Sequence, residues 1–475
     1  MSAVSIVFLI YLVVLFALAI WSRTEARTLE GFFIAGKKLP PWVVAFSTNA
    51  TGESGWLLLG LTGMGYSVGV QAFWVVIGEV AGVAAAWLLV ARRLKRLADQ
   101  QNAITVPDVL AGRFGDERHL LRGLSALIIL VMVGTYVAGQ MVASGKAFSS
   151  FTELSYGQAV IFGAVVIVGY TLIGGYNAVA WTDLFQGILM WLGLIIVPLV
   201  ALVKVGGFPA LLTALAQQDA GLLSPWGPGG PGLPSVIGIA SFLAIGWGFL
   251  GVPQLLVRFM SARSEQSLVP AMRLSVLVIL CFDVGAVLTG MTGRVLFPHL
   301  QDPETVLPVI ATTLFHPAAS AAIMVVVLAA IMSTVDSLLI LASSAVVRDY
   351  LQKIRGSQKS DHVLTRYGRY LTLLIGACGV VFALYQTPLI FWFVLFSWNG
   401  LGAAFGPVIL CALWYPPTNL KGAIAGMLGG FLTTVIWMTW IKGLVYGLVE
   451  VIPGFLVGLA LTIFVSRWTG RQQRH

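Results

Sequence analysis

Long apolar stretches separated by short polar segments follow one another along the whole chain. An α-helix needs about 20 apolar residues to cross a bilayer, and thirteen windows of roughly that length are present. We number them spans one to thirteen, at residues 5–22, 41–64, 68–91, 121–147, 157–174, 177–203, 236–256, 270–292, 317–346, 367–385, 388–414, 422–441 and 447–466. The pattern predicts an all-α, polytopic membrane protein in which residues 1–475 form a single transmembrane domain.

Two interrupted helices stand out within this pattern. Residues 47–55 of span two, STNATGESG, are polar and poorly helical at mid-membrane. In span seven, Gly246, Gly248, Gly251 and Pro253 interrupt an otherwise apolar helix. Because unpaired backbone groups are costly in lipid, such breaks must be buried in protein, where they line a cavity or bind a ligand.

The two breaks lie five spans apart, which is typical of an inverted repeat. We therefore predict a five-plus-five repeat with a binding site near the middle of the membrane. The predicted parts are an extra N-terminal helix at 5–22, a first repeat at 41–203, a second repeat at 236–414, and two C-terminal helices within 422–466. Ordinary tolerance of Gly and Pro in packed membrane helices would explain one break, and two corresponding breaks less easily.

The composition excludes a water-soluble globular fold. Of the residues, 58% are hydrophobic and only 10% are charged, whereas about a quarter of the residues of a soluble domain are charged. The lipid bilayer is therefore the expected environment. No metal-ligand cluster, nucleophile motif or phosphate-binding loop occurs in a suitable sequence context, so we do not expect an enzyme.

The basic residues are distributed unevenly between the two sides of the predicted membrane. With the N-terminus outside and the C-terminus in the cytoplasm, every Lys and Arg lies on the inner side except Lys146, Lys204, Arg294 and Lys442. The inner set includes Arg258, which we place in the loop after span seven. The net charge of +9 thus indicates the topology of a multi-pass protein of a bacterial inner (plasma) membrane, and not a nucleic-acid partner.

Span nine carries polar side chains inside an apolar helix. They are Ser333, Thr334, Asp336, Ser337, Ser343 and Ser344. Hydroxyl oxygens and freed main-chain carbonyls suit a hard cation such as Na⁺. For Ser343 and Ser344, hydrogen bonding between helices is an equally good explanation.

Carboxyl side chains within the spans are further candidates, because burying a charge is costly. They are Glu53, Glu79, Asp183, Asp283 and Asp336, with Glu450 near the end of a span. A buried carboxyl can bind a cation or carry a proton, and the sequence leaves both possibilities open. Structural pairing is an alternative for Glu79 and Asp283.

Several polar strings resemble those of the sodium:solute symporter family, and most closely its sodium/proline symporters. They are IAGKKLPPW (34–42), SGWLLLGL (54–61), TVPDVLAGRF (105–114), IGGYNAVAWTD (173–183), VPQLLVRFM (252–260), AAIMSTVDS (329–337) and GAAFGPVIL (402–410). The resemblance covers nearly the whole chain. It implies a leucine-transporter-like fold with the repeat described above, and Na⁺ as the coupling ion.

The resemblance also implies a sodium site between the break of span two and span nine. The implied ligands are the main-chain oxygens of Ala50, Glu53 and Ala330 and the hydroxyls of Ser333 and Thr334. Asp183 of span six would be the nearby acidic residue, and with Asp336 and Ser337 it is a candidate for a second cation or for coupling.

A substrate pocket near the two breaks is implied as well. Its candidate wall residues are Trp56, Tyr136, Phe249 and Pro253, with Gln140 as a polar contact. Two positions depart from the family pattern, because Gly52 stands where proline symporters have an aspartate and Phe249 where a hydroxylated ring is expected. Glu53 follows directly, but a carboxylate one position along points in another direction.

The implied function is Na⁺-coupled symport of a small organic solute, proline or a related amino acid, by alternating access. One alternative is proton-coupled symport through Glu53, Glu79 or Asp183, which a pH gradient would drive without Na⁺. A more remote alternative is a transporter-like membrane sensor that binds solute without net transport, whose marker would be an appended signalling domain.

Overall fold

The computed structural model describes residues 3–22, 28–385 and 390–472, and these residues form helices without a β-strand. Ten helices within them are long and apolar enough to cross a membrane. The predicted all-α membrane fold is therefore confirmed. The predicted inner residues Arg23, Arg27 and Arg474 lie outside the described residues, as do the first two residues of predicted span eleven.

Span one is the helix Ala3–Ser22. The spans of the first half continue with Pro41–Gly52, Trp56–Leu61 and Thr62–Val68 in span two, Phe73–Ala85 and Ala86–Ala91 in span three, Leu120–Phe151 in span four, and Tyr156–Val205 in spans five and six. Shorter helices between them are Leu29–Ile34, Ala35–Lys37, Gly69–Ala72, Arg92–Gln100, Val106–Phe114, Phe208–Gln218 and Ala220–Leu223.

The second half of the chain contains spans seven to thirteen. Its spans are Leu233–Ala244, Ile245–Leu250 and Pro253–Ser261 in span seven, Leu268–Leu296 in span eight, Pro317–Ser344 and Ala345–Ile354 in span nine, Asp361–Tyr385 in span ten, Ile390–Trp414 in span eleven, Leu420–Ile436 and Trp437–Ile441 in span twelve, and Val451–Gln472 in span thirteen. Shorter helices are Pro303–Thr305, Val306–Leu314 and Lys442–Leu444.

Glycine turns divide two of the ten long helices. Tyr156–Val205 has 50 residues and is interrupted at Gly175, whose φ of 59° is not helical. An unbroken helix of that length would measure about 75 Å, more than twice the hydrocarbon thickness. Gly69, with φ 57°, separates spans two and three in the same way. With both divisions and the shorter apolar helix Ile6–Ser22 included, the described residues contain the thirteen predicted spans.

Span nine runs through the centre of the helical bundle. The apolar window of Pro317–Ile354 is 100% buried, compared with 28% for Asp361–Tyr385 and 22% for Leu420–Leu444 at the periphery. Peripheral apolar faces suit contact with lipid. The hydroxyl and carboxyl groups of span nine therefore lie inside protein, where polar partners are available.

Glycines in span seven allow span eleven to approach closely. Trp398 Nε1 donates a hydrogen bond to the carbonyl of Ile245 at 3.1 Å. A Cβ added at Gly248 would overlap this indole, and one added at Gly251 would overlap the backbone of Gly406. The interrupted part of span seven is thus packed against span eleven at distances that only glycine permits.

We expect Gly248→Ala to lower the free energy of unfolding by about 1–3 kcal/mol, because the added methyl group overpacks the contact with Trp398. Thermal unfolding of the purified protein in detergent measures the change. Gly134→Ala is the matched control, since a Cβ at Gly134 meets nothing within 4 Å. An equal loss in both variants would contradict the packing argument.

A buried ion-pair network joins spans four and nine on the side predicted to be cytoplasmic. Arg122 Nη1 lies 2.6 Å from Asp108 Oδ1 and 2.7 Å from Asp349 Oδ1. Arg348 Nε lies 2.9 Å from Asp108 Oδ2. Burial raises the pKa of Asp108, but the guanidinium groups of Arg348 and Arg122 lower it more, so its pKa lies below the ordinary value.

Asp108→Asn is expected to destabilise the protein at pH 7, and the effect should shrink on acidification. The pKa of Asp108 is lower in the folded protein than in the unfolded chain, where it is about 4. The ionised carboxylate therefore stabilises the fold at a pH above the unfolded pKa. This stabilisation is lost as the pH falls through the pKa of the folded protein. The pH-dependent stabilisation is measured as the difference in unfolding temperature between wild type and variant, from about pH 7 to pH 3. The exposed Glu117→Gln serves as control. A difference that widens on acidification would refute the assigned direction.

Candidate functional site

Span two is broken at the place that the sequence predicted. Its first helix ends at Gly52, and Glu53 has φ −96° and ψ 84°, outside the helical region. Helical structure resumes after Gly55 in a wider, π-helical turn. Gln140 of span four supports the break, because its Oε1 accepts from Gly55 N and its Nε2 donates to Ser54 Oγ, both at 3.2 Å. The exposed backbone of the break is thus satisfied inside the protein.

Span seven is interrupted at the corresponding place. After the 3₁₀ helix Ile245–Leu250, Gly251 has φ −138°, and Val252 has ψ 114°. Pro253 then begins the next helix, where its missing N–H costs nothing. The structure therefore contains both helix breaks on which the prediction of a central site depends.

Span nine meets the end of the first span-two helix through oxygen atoms. The Ser333 hydroxyl donates to the Ala50 carbonyl at 2.8 Å, and the Thr334 hydroxyl donates to the Thr51 carbonyl at 3.1 Å. Both hydroxyls also lie within 3.3 Å of the Ala330 carbonyl. Two hydroxyls and three carbonyls converge here, an all-oxygen set of the kind that a hard cation prefers. We call this set the span two–nine junction.

The junction contains four of the five implied sodium ligands. Glu53 is the exception, because the two hydroxyls donate to the main-chain oxygens of Ala50, Thr51 and Ala330 and not to that of Glu53. The carbonyl that meets Thr334 belongs instead to Thr51, which we did not predict. Thr51 is in the last turn before the break, and the carbonyls of a last helical turn have no partner within their own helix. Which carbonyl meets Thr334 depends on the exact residue at which the helix ends, and a sequence does not give that residue.

Ser343 and Ser344 take no part in this junction. Their hydroxyls donate to the carbonyls of Ile340 at 3.1 Å and Leu341 at 2.7 Å within the same helix. Neither the proposed cation contact nor the alternative of hydrogen bonds between helices describes these two serines.

A buried arginine joins the helices next to the junction. Arg258, which we predicted in a loop, is 1% exposed within the helix Pro253–Ser261. Its Nη2 lies 3.0 Å from Asp183 Oδ2 and donates to Thr51 Oγ1 at 2.7 Å, while its Nε donates to Ser47 Oγ at 3.1 Å. The loop assignment was wrong because the apolar window ended at residue 256, before the second half of the broken helix was complete.

The three residues predicted for a second cation lie around this arginine. Arg258 also donates to the Ser337 hydroxyl, in addition to its ion pair with Asp183. The Tyr170 hydroxyl donates to Asp336 Oδ2 at 2.8 Å, and Asp336 Oδ1 lies 3.2 Å from Ser337 Oγ. A guanidinium group of the chain itself therefore supplies the positive charge at this place.

Three further carboxylates form a separate cluster. Glu53 of span two, Glu79 of span three and Asp283 of span eight each place a carboxylate oxygen within 4.8 Å of the other two. All three side chains are buried. Each residue was predicted as a separate candidate, and their convergence appears only in the structure. We refer to them as the carboxylate cluster.

A small cavity lies between the two breaks. Its wall is formed by Gly52, Trp56, Glu79, Tyr136, Ile245, Val394, Leu395 and Trp398. Trp56 and Tyr136 were predicted for this wall, whereas the predicted residues Gln140, Phe249 and Pro253 do not line it. Glu79 and Trp398 were missed, since they come from spans three and eleven, which contain no helix break.

The two departures from the family pattern contact each other. A Cβ added at Gly52 would lie 3.1 Å from Phe249 Cε1. Phe249 in turn packs edge-to-face on Trp398, with 4.9 Å between ring centroids. The aromatic ring at position 249 thus leaves little space for a side chain at position 52.

A helical membrane bundle with two interrupted helices, an oxygen-lined junction between one of them and span nine, and a small internal cavity defines a secondary transporter. Residues 32–430 match the sodium:solute symporter family. The chain belongs to this family, whose coupling ion is Na⁺. Among its relatives are the sodium/proline symporters of Staphylococcus aureus, one of which is 34% identical over 473 residues, covering 97% of this chain and 91% of the relative. Another, from strain JH9, is 34% identical over 474 residues with the same coverage.

Solved transporter structures share the fold. The substrate-bound outward-open state of a Na⁺-coupled sialic acid symporter has a TM-score of 0.81 at 17% identity, covering 98% of both chains. Mhp1, a nucleobase-cation-symport-1 family transporter in a closed conformation with bromovinylhydantoin bound, has a TM-score of 0.59 at 14% identity, covering 93% of this chain and 95% of Mhp1. The predicted leucine-transporter-like architecture is confirmed. Membership of the sodium:solute symporter family supports Na⁺ as the coupling ion.

Proposed function

We propose that this chain carries out Na⁺-coupled symport of a small organic solute, with proline or a related amino acid as the first candidate. The observation that carries the proposal is the span two–nine junction, where Ser333 and Thr334 meet carbonyls freed at the break of span two. The name of the S. aureus relatives, sodium/proline symporter, supports an amino acid as the solute.

A sodium ion held at the junction would connect the first span-two helix to span nine. Gly52 and Trp56, on either side of the break, line the cavity. An ion that fixes the break therefore also fixes part of the cavity wall. Because ion and solute favour the same arrangement, each raises the affinity for the other. Every Na⁺ that moves inward across 100 mV contributes about 2.3 kcal/mol to uptake.

Release of the solute into the cell requires the cytoplasmic side of the site to open. With the N-terminus outside and the C-terminus in the cytoplasm, the contacts of Arg258 lie on the inner side of the junction. Arg258 holds Ser47 of span two, Asp183 of span six and Ser337 of span nine. We infer that these contacts separate when the site opens to the cytoplasm, and that they close the inner path when solute binds from outside.

Uptake into proteoliposomes tests the proposal. Labelled proline and a panel of other amino acids are offered with an imposed Na⁺ gradient, with a pH gradient, or with neither. We expect the Na⁺ gradient to stimulate uptake of one or more of these solutes and the pH gradient alone to have no effect. Absence of Na⁺ stimulation for every amino acid offered would reject the proposal.

The same assay separates the two alternatives. Uptake driven by a pH gradient in the absence of Na⁺ would support proton coupling. Saturable solute binding to the purified protein, together with no accumulation under any gradient, would support the transporter-like sensor.

A further inference from the structure

We propose that the carboxylate cluster binds the ammonium group of the transported solute, so that positive charge on the solute, and not a carboxylate, is the essential feature for binding. This inference rests on the proposed function in one respect, that the chain transports a small organic solute. It adds the chemical class of that solute and names the residues that select it.

The carboxylate cluster lacks a positively charged partner among the described residues. No ion pair of these residues includes Glu53, Glu79 or Asp283. Neither oxygen of Glu53 or of Asp283 has a hydrogen-bond partner there, and Glu79 Oε2 has none. The side chains of Glu53 and Asp283 are 1% and 0% exposed. Carboxyl groups buried in this state are neutralised either by protons or by a positive charge from outside the chain, and an ammonium group supplies the second.

Glu79 connects the cluster to the solute cavity. It is a member of the cluster and also one of the residues that line the cavity. Glu53 and Asp283 do not line the cavity, but each places a carboxylate oxygen within 4.8 Å of one of Glu79. A cation in the cavity would therefore contact Glu79 directly and experience the negative charge of the other two carboxylates at short range.

The other side chains of the cavity wall suit an organic ammonium group. Trp56, Tyr136 and Trp398 line the cavity together with Glu79. Aromatic rings attract ammonium groups through their negatively polarised faces, and this attraction is strongest where water is excluded. The described lining residues include no Lys, Arg or His. A solute carboxylate would thus find no basic side chain in the cavity, whereas a solute ammonium would find Glu79.

The order of Gly52 and Glu53 agrees with this assignment. Gly52 forms part of the cavity wall, and Glu53 belongs to the carboxylate cluster. An aspartate at position 52, as in proline symporters, would belong to the cavity wall. In this chain the acidic residue is at position 53 and belongs to the carboxylate cluster. Glu79 then provides the carboxylate that the cavity presents to the solute.

Binding of three ring compounds to the purified full-length protein in NaCl tests the inference. The probes are proline, pyrrolidine, which is a cation near pH 7 and has no carboxylate, and tetrahydrofuran-2-carboxylate, which has an ether oxygen in place of the amine. We expect proline and pyrrolidine to bind and the ether analogue to bind at least about tenfold more weakly, since it loses a charge-assisted hydrogen bond. Equal binding of the ether analogue, or no binding of either amine, would overturn the inference.

Two variants locate the interaction. Glu79→Gln is expected to weaken pyrrolidine binding at least about tenfold, and Asp283→Asn to weaken it less, because Asp283 does not line the cavity. The exposed Glu117→Gln is the control and should bind like wild type. Thermal stabilisation by Na⁺ should persist in every variant, which shows that the protein is folded. If a variant does not fold, the binding of the three ring compounds to the wild-type protein still tests the inference.

Two outcomes distinguish this inference from others. If Glu79→Gln shifts the Na⁺ titration and leaves pyrrolidine binding unchanged, the cluster holds an inorganic cation and the inference is wrong. If amines bind in the expected order in KCl as well as in NaCl and no Na⁺ gradient drives uptake, the proposed Na⁺-coupled function fails while the ammonium site stands.

Discussion

Ser333→Ala and Thr334→Ala are each expected to raise the Na⁺ concentration for half-maximal uptake by about ten- to a hundredfold. Each substitution removes a hydroxyl from the span two–nine junction, and a hydrogen-bonding group that acts on a charge contributes about 1.5–3 kcal/mol. The double variant should lose Na⁺ stimulation entirely, because only main-chain oxygens would remain. Uptake in proteoliposomes over a range of Na⁺ concentrations measures the shift.

Ser343→Ala is the matched control for both substitutions. Ser343 is buried in the same helix, and its hydroxyl donates to Ile340 of that helix at 3.1 Å, away from the junction. We expect its Na⁺ dependence to equal that of wild type. A shift in Ser343→Ala as large as that in Ser333→Ala, or no shift in Ser333→Ala, would show that the junction does not hold the coupling ion.

Arg258→Gln is expected to destabilise the protein by about 3–5 kcal/mol, because Asp183 would remain buried without its charged partner. Asp183→Asn should have a comparable effect, since it leaves the guanidinium group unpaired. The double variant, with both charges removed, should recover a substantial part of the loss. Thermal unfolding in detergent and a double-mutant cycle measure this coupling.

The exposed ion pair of Arg96 with Glu265 provides the comparison for this experiment. Its atoms are 2.7 Å apart, but the Arg96 side chain is 58% exposed. Arg96→Gln should change the unfolding temperature little, because solvent screens the pair. If the losses of the Arg258 and Asp183 single variants simply add in the double variant, the two residues do not form a coupled buried pair.

Much of the architecture followed from the sequence. The lengths of the apolar windows gave thirteen spans, which the described residues contain, and the polar and glycine-rich stretches of spans two and seven marked both helix breaks. The family resemblance named the hydroxyls of Ser333 and Thr334 as sodium ligands beside the broken helix, and they donate to the carbonyls of Ala50 and Thr51. Their role as sodium ligands stays a prediction. The repeat boundaries at 41–203 and 236–414 stay a prediction.

Other features depended on packing between distant segments. Arg258 could not be distinguished from a loop residue, since its partners Asp183 and Ser47 lie 75 and 211 positions away in the chain. The carboxylate cluster draws one residue from each of spans two, three and eight, and no local pattern connects them. Glu79 of span three and Trp398 of span eleven also line the cavity wall. Neither span contains a helix break that would have predicted this position.

The sequence by itself determined how many spans the chain has and where its helices must break, because hydropathy and helix propensity act over neighbouring residues. The tertiary structure decided which oxygens, carboxylates and aromatic rings meet at those breaks. Such contacts arise only when helices far apart in the chain pack together, and they depend on the exact residue at which each helix ends. Thr51 at the junction and Trp398 in the cavity wall are examples of residues that this packing alone selected.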